Sequence, residues 1–410
     1  MPLSPAEQRL CSLIESRHKA LVEDLVLHVG IPTGGFNTPA LDETRERFTH
    51  RLTRLGAGVE FVAADPKPRW LYGAESGNGA PPTAICSRLL PGRPRILLAG
   101  HLDTVHNPEG SFRELTFSSD GRTATGPGCV DMKGGLVIAV AALEALEACN
   151  LEASWSFLFN SDEETGSYHS LTALRSQAAC HDFGLALEPA LPGGELAIER
   201  MGAGQFMIET RGRSAHVGRD FTAGVSAVNA LAHALVSVSR MPDPEKGRIL
   251  SVGPLEGSSA TNVVPDRARA WGNVRFPTPG VGDEIARMLD ALATEPDALP
   301  GVQIRRSFNR PAKPMTPAVE SLGLFARSAA EDLGQQLPFA KTGGVCDGNI
   351  LQEAGLPTID TLGVRGGGLH TPNEWIELPS LVERCQLLAV LVHRLTLGGL
   401  SSTDSTRKGL

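Results

Sequence analysis

No Cys-x-x-Cys pair occurs among the seven cysteines (Cys11, Cys86, Cys129, Cys149, Cys180, Cys346 and Cys385), and their odd number leaves one without a partner. Neither a disulfide framework nor a thiolate zinc site is therefore indicated. Uninterrupted apolar runs long enough to span a bilayer are missing, and the N-terminus, with Glu7, Arg9, Glu15 and Arg17, lacks the apolar core of a signal peptide. Positive charge is not in excess either. The net charge is -8, the isoelectric point is near 5.8, and the basic residues are dispersed, which argues against nucleic acid as a partner. Internal repeats and low-complexity segments are absent too. The expectation is a cytoplasmic protein in a reducing compartment that binds neither membrane nor nucleic acid.

At 410 residues the chain exceeds what one compact domain usually holds, so two domains are expected. Apolar spacing predicts a helix over 7–29, carried by Leu10, Ile14, Leu21 and Leu25, and another over 41–55. Strands are predicted at 59–62, 84–89 and 95–99, and an alanine-rich helix at 136–148. Strands alternating with helices indicate an α/β fold with a mostly parallel central sheet flanked by helices. After Pro192-Gly193-Gly194 the texture changes. Strands at 195–199, 205–211, 249–255, 267–276 and 302–308, with helices over 282–292 and around Val228, Leu231, Leu235 and Val238, predict an inserted α+β domain. The boundaries drawn are 1–196 and 312–410 for the first domain and 197–311 for the insertion. A helix at 318–333, a strand at 358–362 and a closing helix at 379–397 complete the chain, and 401–410 has too little apolar content to order itself.

Acidic and histidine residues stand at His101-Leu-Asp103, Asp131-Met-Lys133, Asp162-Glu163-Glu164, Glu188-Pro189 and His370-Thr371. Each has an ordinary explanation when taken alone: a strand-end histidine, a helix-capping Asp131, a solvated acidic pair, a turn glutamate. Their placement is less ordinary. Apolar, strand-like runs directly precede His101, Glu163 and Glu188, and open α/β sheets bind ligands beyond the carboxyl ends of their strands. Carboxylates converging there would repel one another unless a cation sat among them. Imidazole nitrogen and carboxylate oxygen are what zinc takes, and a pair of ions needs a ligand able to bridge.

With these motifs, above all Gly100-His-Leu-Asp-Thr-Val105, Gly126-Pro-Gly-Cys-Val-Asp-Met-Lys-Gly-Gly135 and Asn160-Ser-Asp-Glu-Glu-Thr-Gly-Ser167, the chain resembles the zinc-dependent aminoacylase and carboxypeptidase family of clan MH. That family includes acetylornithine deacetylase, succinyl-diaminopimelate desuccinylase and the glutamate carboxypeptidases. Ser111-Phe112-Arg113, Leu187-Glu188-Pro189, Asn309-Arg310-Pro311-Ala312 and Thr342-Gly343-Gly344 make the glutamate carboxypeptidase type the nearest likeness. The resemblance implies a zinc-exopeptidase fold whose inserted domain is a lid carrying a homodimer contact. It also implies two zinc ions, replaceable by cobalt or manganese: His101 and Glu188 on one, Glu164 and His370 on the other, Asp131 bridging.

In the same likeness Glu163 is the general base, its carboxyl pKa raised by shielding from water, and Asp103 accepts the imidazole N–H of His101. Extended backbone at Glu163-Glu164 would point the two carboxylates differently. The Asp131-Met132 peptide is a candidate cis bond. His216 matches the lid histidine that stabilises the oxyanion, supplied across the dimer in some members, and Asn262 and Arg275 match positions holding the substrate's free carboxylate. Arg310 is a further candidate for substrate contact. Val345 and Cys346 depart from the usual family pattern, and Cys129 and Cys346 lie close to expected ligands, with packing as their expected role. The expected activity is release of an amino acid from a peptide or N-acyl amino acid. Carboxypeptidase action of the glutamate-releasing type comes first, N-acyl-amino-acid deacylation second, and non-catalytic binding of amino-acid conjugates is the remaining alternative.

Overall fold

A strand buried along its whole length has to be covered on both faces. Ile96–His101, Trp155–Asn160 and Phe183–Ala186 are buried throughout, and in the computed structural model, which describes residues 2–35, 37–73 and 81–400, they lie at the centre of one sheet. The sheet runs Gly58–Val62, Thr83–Arg88, Trp155–Asn160, Ile96–His101, Phe183–Ala186, Thr358–Ile359. Its first two joints are antiparallel and the remaining ones parallel. Successive side chains alternate between faces. Ile96 and Leu98 therefore pack with the helices Gly134–Ala148 and Pro379–Thr396, while Leu97 and Ala99 pack with Leu171–Cys180 and Asp347–Glu353. The outcome is the expected α/β architecture, with a mostly parallel sheet between helical layers.

Several local expectations are corrected. The segment 7–29 forms two helices, Pro5–Ser16 and His18–Val29, broken at Arg17. Leu10, Ile14, Leu21 and Leu25 are all buried, and the seven-residue step from Ile14 to Leu21 hides the break from any reading of periodicity. The helices Leu171–Cys180 and Asp347–Glu353 were not anticipated. Nor was the four-stranded ribbon of Thr116–Phe117, Thr123–Thr125, Gly366–Gly367 and Trp375–Glu377, whose strands are too short to show a period.

A second, antiparallel sheet has the order Ile249–Glu256, Arg267–Phe276, Gly202–Arg211, Gly301–Arg310. With the helices Ala227–Val238 and Pro279–Asp290 it builds its own core, including Phe206, Ile208, Ala270, Val274, Ile285 and Leu289. The first of these helices turns Leu231, Leu235 and Val238 inward as expected. Val228 is exposed, and Ala227, Ala230 and Ala234 join Leu231 and Val238 against the sheet, where small residues permit close approach. The strand Leu196–Arg200, expected in the insertion, pairs in parallel with Phe339–Thr342 of the first body. The chain crosses only after Arg200 and re-enters at Lys313, where the two connectors bond reciprocally: Arg200 N–H to Lys313 O at 2.9 Å and Lys313 N–H to Arg200 O at 3.0 Å. The expectation for 401–410 lies outside the described residues.

Candidate metal centre and active-site cleft

The parallel register sets His101 opposite Asn160, so the loops leaving the strands Ile96–His101, Trp155–Asn160 and Phe183–Ala186 emerge at one edge. They carry His101, Glu163 with Glu164, and Glu188. Asp131 arrives on the loop ahead of the helix Gly134–Ala148, and the Asp131-Met132 peptide is cis. His370 arrives on the turn after Gly366–Gly367, with Gly368 at φ +70° and His370 itself at φ +62°. Gly363, earlier in that loop, lies against the backbone of Glu188: a Cβ there would come within 2.4 Å of Leu187 O and 2.6 Å of Glu188 O. Only glycine tolerates that approach.

His101 Nδ1 donates to the backbone carbonyl of Asp103 at 2.9 Å, and Oδ1 of the Asp103 carboxylate stands at 3.4 Å. A carbonyl can only accept, so the tautomer is fixed and Nε2 is left for a ligand. Nε2 faces Asp131 Oδ1 at 3.3 Å, and both atoms are buried without a hydrogen-bond partner. Asp131 Oδ2 faces the other way, 3.5 Å from His370 Nε2, which is also 3.3 Å from Glu164 Oε2. Ligand atoms of His101, Asp131 and Glu164 lie within 4.8 Å of one another and can hold a cation. Two orphaned buried atoms, with one carboxylate between two imidazoles, fit a divalent ion.

Imidazoles and carboxylates gathered this closely shift one another's titration. His101 is raised well above the ordinary imidazole value by Asp103 and Asp131 against the opposing effect of burial, and His370 is raised to about 10 by Asp131 and Glu164. Burial raises Glu164 above the ordinary carboxyl value and Glu188 well above it. For Glu188 the charges of Glu163 and Asp131 add to the effect, and those of His101 and Arg200 oppose it. Burial pushes Glu163 up to about 8, against the pull of Arg310 and His101.

Glu163 and Glu164 sit on a turn of 3-10 helix, Glu163–Thr165, in place of the expected extended backbone. Their divergence comes from that turn. Its first two N–H groups are held by Asp103, whose carboxylate accepts from Glu163 N at 3.2 Å and Glu164 N at 3.0 Å. Asp103 thus offers its main-chain carbonyl to the histidine and its carboxylate to the glutamates. Glu163 Oε1 receives Arg310 Nη2 at 2.7 Å, and Arg310 Nη1 reaches Asp347 at 3.0 Å, all three side chains being buried or nearly so. Arg310, expected at the substrate, is occupied by Glu163 and Asp347.

Two groups that sequence reasoning missed complete the frame. Glu374 accepts the backbone N–H groups of Gly128 at 2.9 Å, Val130 at 2.9 Å and Asp131 at 3.0 Å, and the Nε2–H of His106 at 2.6 Å. Lys133 is buried and donates to Ile31 O at 2.7 Å. Glu374, four residues after His370, carried no signal beyond that proximity. Burial pushes the Cys129 and Cys346 thiols above their ordinary value, which disfavours a thiolate at either.

Glu163 and Glu164 open on a cleft of about 370 Å³, lined also by Lys67, Tyr168, Gln205, Asn273, Arg275 and Arg310. The structure brings Arg275 to this cleft. His216 and Asn262 are placed elsewhere: they meet on the exposed two-stranded ribbon of Ala215–His216 and Val263–Val264, where Val217 N–H donates to Asn262 O at 3.0 Å.

A carboxylate and imidazole cluster at the carboxyl edge of a parallel sheet, with a shielded glutamate beside it, defines a metallohydrolase of the peptidase and amidohydrolase class. The chain belongs to the peptidase family M20/M25/M40, whose model matches residues 97–394. It is similar to carboxypeptidase G2 of Pseudomonas sp. (strain RS-16), 26% identical over 318 residues and covering 75% of each chain. Succinyl-diaminopimelate desuccinylase 2 of Shewanella loihica is 27% identical over 328 residues, covering 73% of this chain and 85% of that one. Among solved structures, a tripeptidase from Staphylococcus aureus superimposes with a TM-score of 0.72 at 21% identity, covering 92% of this chain and 99% of the other, which shows the shared fold.

Proposed function

We propose that this protein is a dinuclear zinc amide hydrolase that releases an amino acid with a free α-carboxylate, a carboxypeptidase of the glutamate-releasing type. The observation that carries the reading is Asp131, whose two carboxylate oxygens face His101 and His370 separately. His101 and Glu188 would hold one ion, Glu164 and His370 the other, with Asp131 between them. When bound, such ions supply Lewis acidity to the scissile carbonyl and lower the pKa of the attacking water. Glu163 takes the water's proton and returns it to the leaving amide nitrogen, a transfer suited to a carboxylate whose pKa burial raises above the ordinary carboxyl value. Arg310 holds Glu163 Oε1 in place, and Arg275 binds the α-carboxylate. Release of an acyl group from an N-acyl amino acid is the second reading, supported by the likeness to desuccinylases.

The antiparallel body acts as a lid over 201–312 and as the contact between two copies. His216 and Asn262, exposed and away from the cleft of their own chain, would then serve the partner's cleft. The test is amino-acid release from N-acyl and glutamyl, aspartyl and neutral peptide substrates by the zinc-loaded protein beside Glu163→Ala. Turnover that falls by about 10²-fold or more in the variant at constant metal content supports the reading. Metal binding without turnover on any substrate would leave a binding protein.

A further inference from the structure

Three cationic side chains line the cleft beside Glu163: Lys67, Arg275 and Arg310. Arg310 is neutralised by Glu163 and Asp347, and the proposed function assigns Arg275 to the α-carboxylate. Lys67 remains. Its ammonium lies 5.7 Å from the centroid of the Tyr168 ring and 3.5 Å from the carbonyl of Thr165, directly after Glu164. Among the described residues it makes no ion pair. Partial burial lowers its pKa, with Asp162 pulling weakly the other way. A cation taken partly out of water is costly unless an anion meets it, and among the described residues none pairs with it.

The segment bearing Lys67 is fixed at both ends. On one side the Asp65 carboxylate accepts from Thr172 N at 2.7 Å and Thr172 Oγ1 at 2.8 Å, and Asp65 N–H donates to His169 O at 2.8 Å. On the other, Trp271 of the antiparallel sheet donates its indole N–H to Trp70 O at 2.6 Å, and the Tyr72 ring packs edge-on against Trp271. Lys67 is thus held between the two bodies, over the turn that carries the proposed base. Rigid presentation of a charged group at a cleft wall is what selectivity requires.

We propose that Lys67 is a specificity-determining residue that binds a second carboxylate of the substrate, so that the preferred substrates are dicarboxylates. The inference rests on the proposed function for the role of Arg275. The second carboxylate comes from the side chain of the leaving amino acid or from the acyl group, and neutral isosteres distinguish the two. N-benzoyl-glutamate is compared with N-benzoyl-glutamine, and N-succinyl-norleucine with N-butyryl-norleucine, using the zinc-loaded wild type, Lys67→Met and Lys67→Arg.

The wild type should favour the charged member of at least one pair by tenfold or more in kcat/KM. Lys67→Met should bring that ratio to within about threefold of unity through KM, and Lys67→Arg should restore part of it. A wild type indifferent to charge in both pairs overturns the proposal, as does an equal loss on charged and neutral members in Lys67→Met, which would mark a structural role. A second readout needs no turnover: calorimetric binding of glutarate against butyrate to zinc-loaded Glu163→Ala, with and without Lys67→Met. Glutarate should bind at least tenfold tighter only while Lys67 is present; equal affinities overturn the proposal. Catalysis that survives Glu163→Ala would instead defeat the hydrolytic mechanism and leave this charge selectivity standing or falling on its own ratio.

Discussion

The carboxylate of Asp103 accepts the backbone N–H of Glu164 at 3.0 Å, so a residue two positions after one expected metal ligand sets the conformation around another. The same carboxylate accepts from Glu163 at 3.2 Å, so it holds the first two N–H groups of that turn. Asp103→Asn keeps the shape but turns an amide N–H₂ towards one of two backbone donors. The fall is expected in kcat, by about 10-fold to 100-fold, with metal content kept, because mispositioning affects the proton transfer more than the cluster. Steady-state kinetics with metal analysis on the same preparations decides this.

Glu374 gathers three backbone N–H groups from the loop that delivers Asp131 and ties His106 to them. Glu374→Gln removes the charge and offers one acceptor for donors previously shared between two oxygens. Metal affinity measured by chelator competition should weaken by about 10-fold to 100-fold, as for other groups that orient a ligand without touching the ion. Glu377→Gln, which loses a half-exposed pair with Arg365, is the control and should bind metal as the wild type does.

His101 Nε2 and Asp131 Oδ1 face each other at 3.3 Å, both buried and unpartnered, so an ion that satisfies them favours the folded state over the unfolded one. Saturation with Zn²⁺ at 100 times its dissociation constant should stabilise the fold by about 2.7 kcal/mol, visible as a higher Tm that chelation reverses. In Asp131→Ala the shift should disappear. A zinc-induced rise that persists there would place the ion elsewhere.

How much of this was legible depended on which residues announced themselves. The apolar runs ending at His101, Asn160 and Ala186 gave the parallel core and its ligand-bearing edge, because uniform burial and position at a strand end are both local properties. Arg275, singled out by the resemblance, lines the cleft. Lys67 and Glu374 were invisible, since each acts through partners more than 90 residues away and neither lies in a periodic or motif-like setting. Arg310 was noticed, but its bond to Glu163 depends on how two sheets meet, which no local pattern encodes.

Asp360, fully buried, is shared by Arg200, through Nε at 3.0 Å and Nη2 at 2.8 Å, and by Lys313 at 3.3 Å. Those two cations sit where the chain leaves the first body and where it returns. Asp360→Ala would strand two buried positive charges at that crossing and should cost about 3–5 kcal/mol in urea denaturation. Breaking the exposed Lys341–Glu199 pair nearby with Lys341→Ala should cost about 1 kcal/mol or less.

His28 supplies a pH dependence whose sign follows from its surroundings. Its ring is 1% exposed, stacks on Phe48 with centroids 4.1 Å apart, and lies 3.5 Å from Asp24; the charges of Arg51, Lys133, Arg47 and Glu43 also act on it. Burial, and then the three cations, lower its pKa from 6.5 to about 3, with Glu43 opposing. Below 6.5 the unfolded chain therefore binds a proton that the folded chain refuses until about pH 3. The stability His28 allows is complete above 6.5 and is lost as pH falls through that window, at up to about 1.4 kcal/mol per pH unit. His28→Leu removes the titrating group while keeping an apolar filling. Urea midpoints at pH 7.5 and 5.0 should drop further for the wild type than for the variant. An equal drop would assign the acid sensitivity to the carboxylates and not to this imidazole.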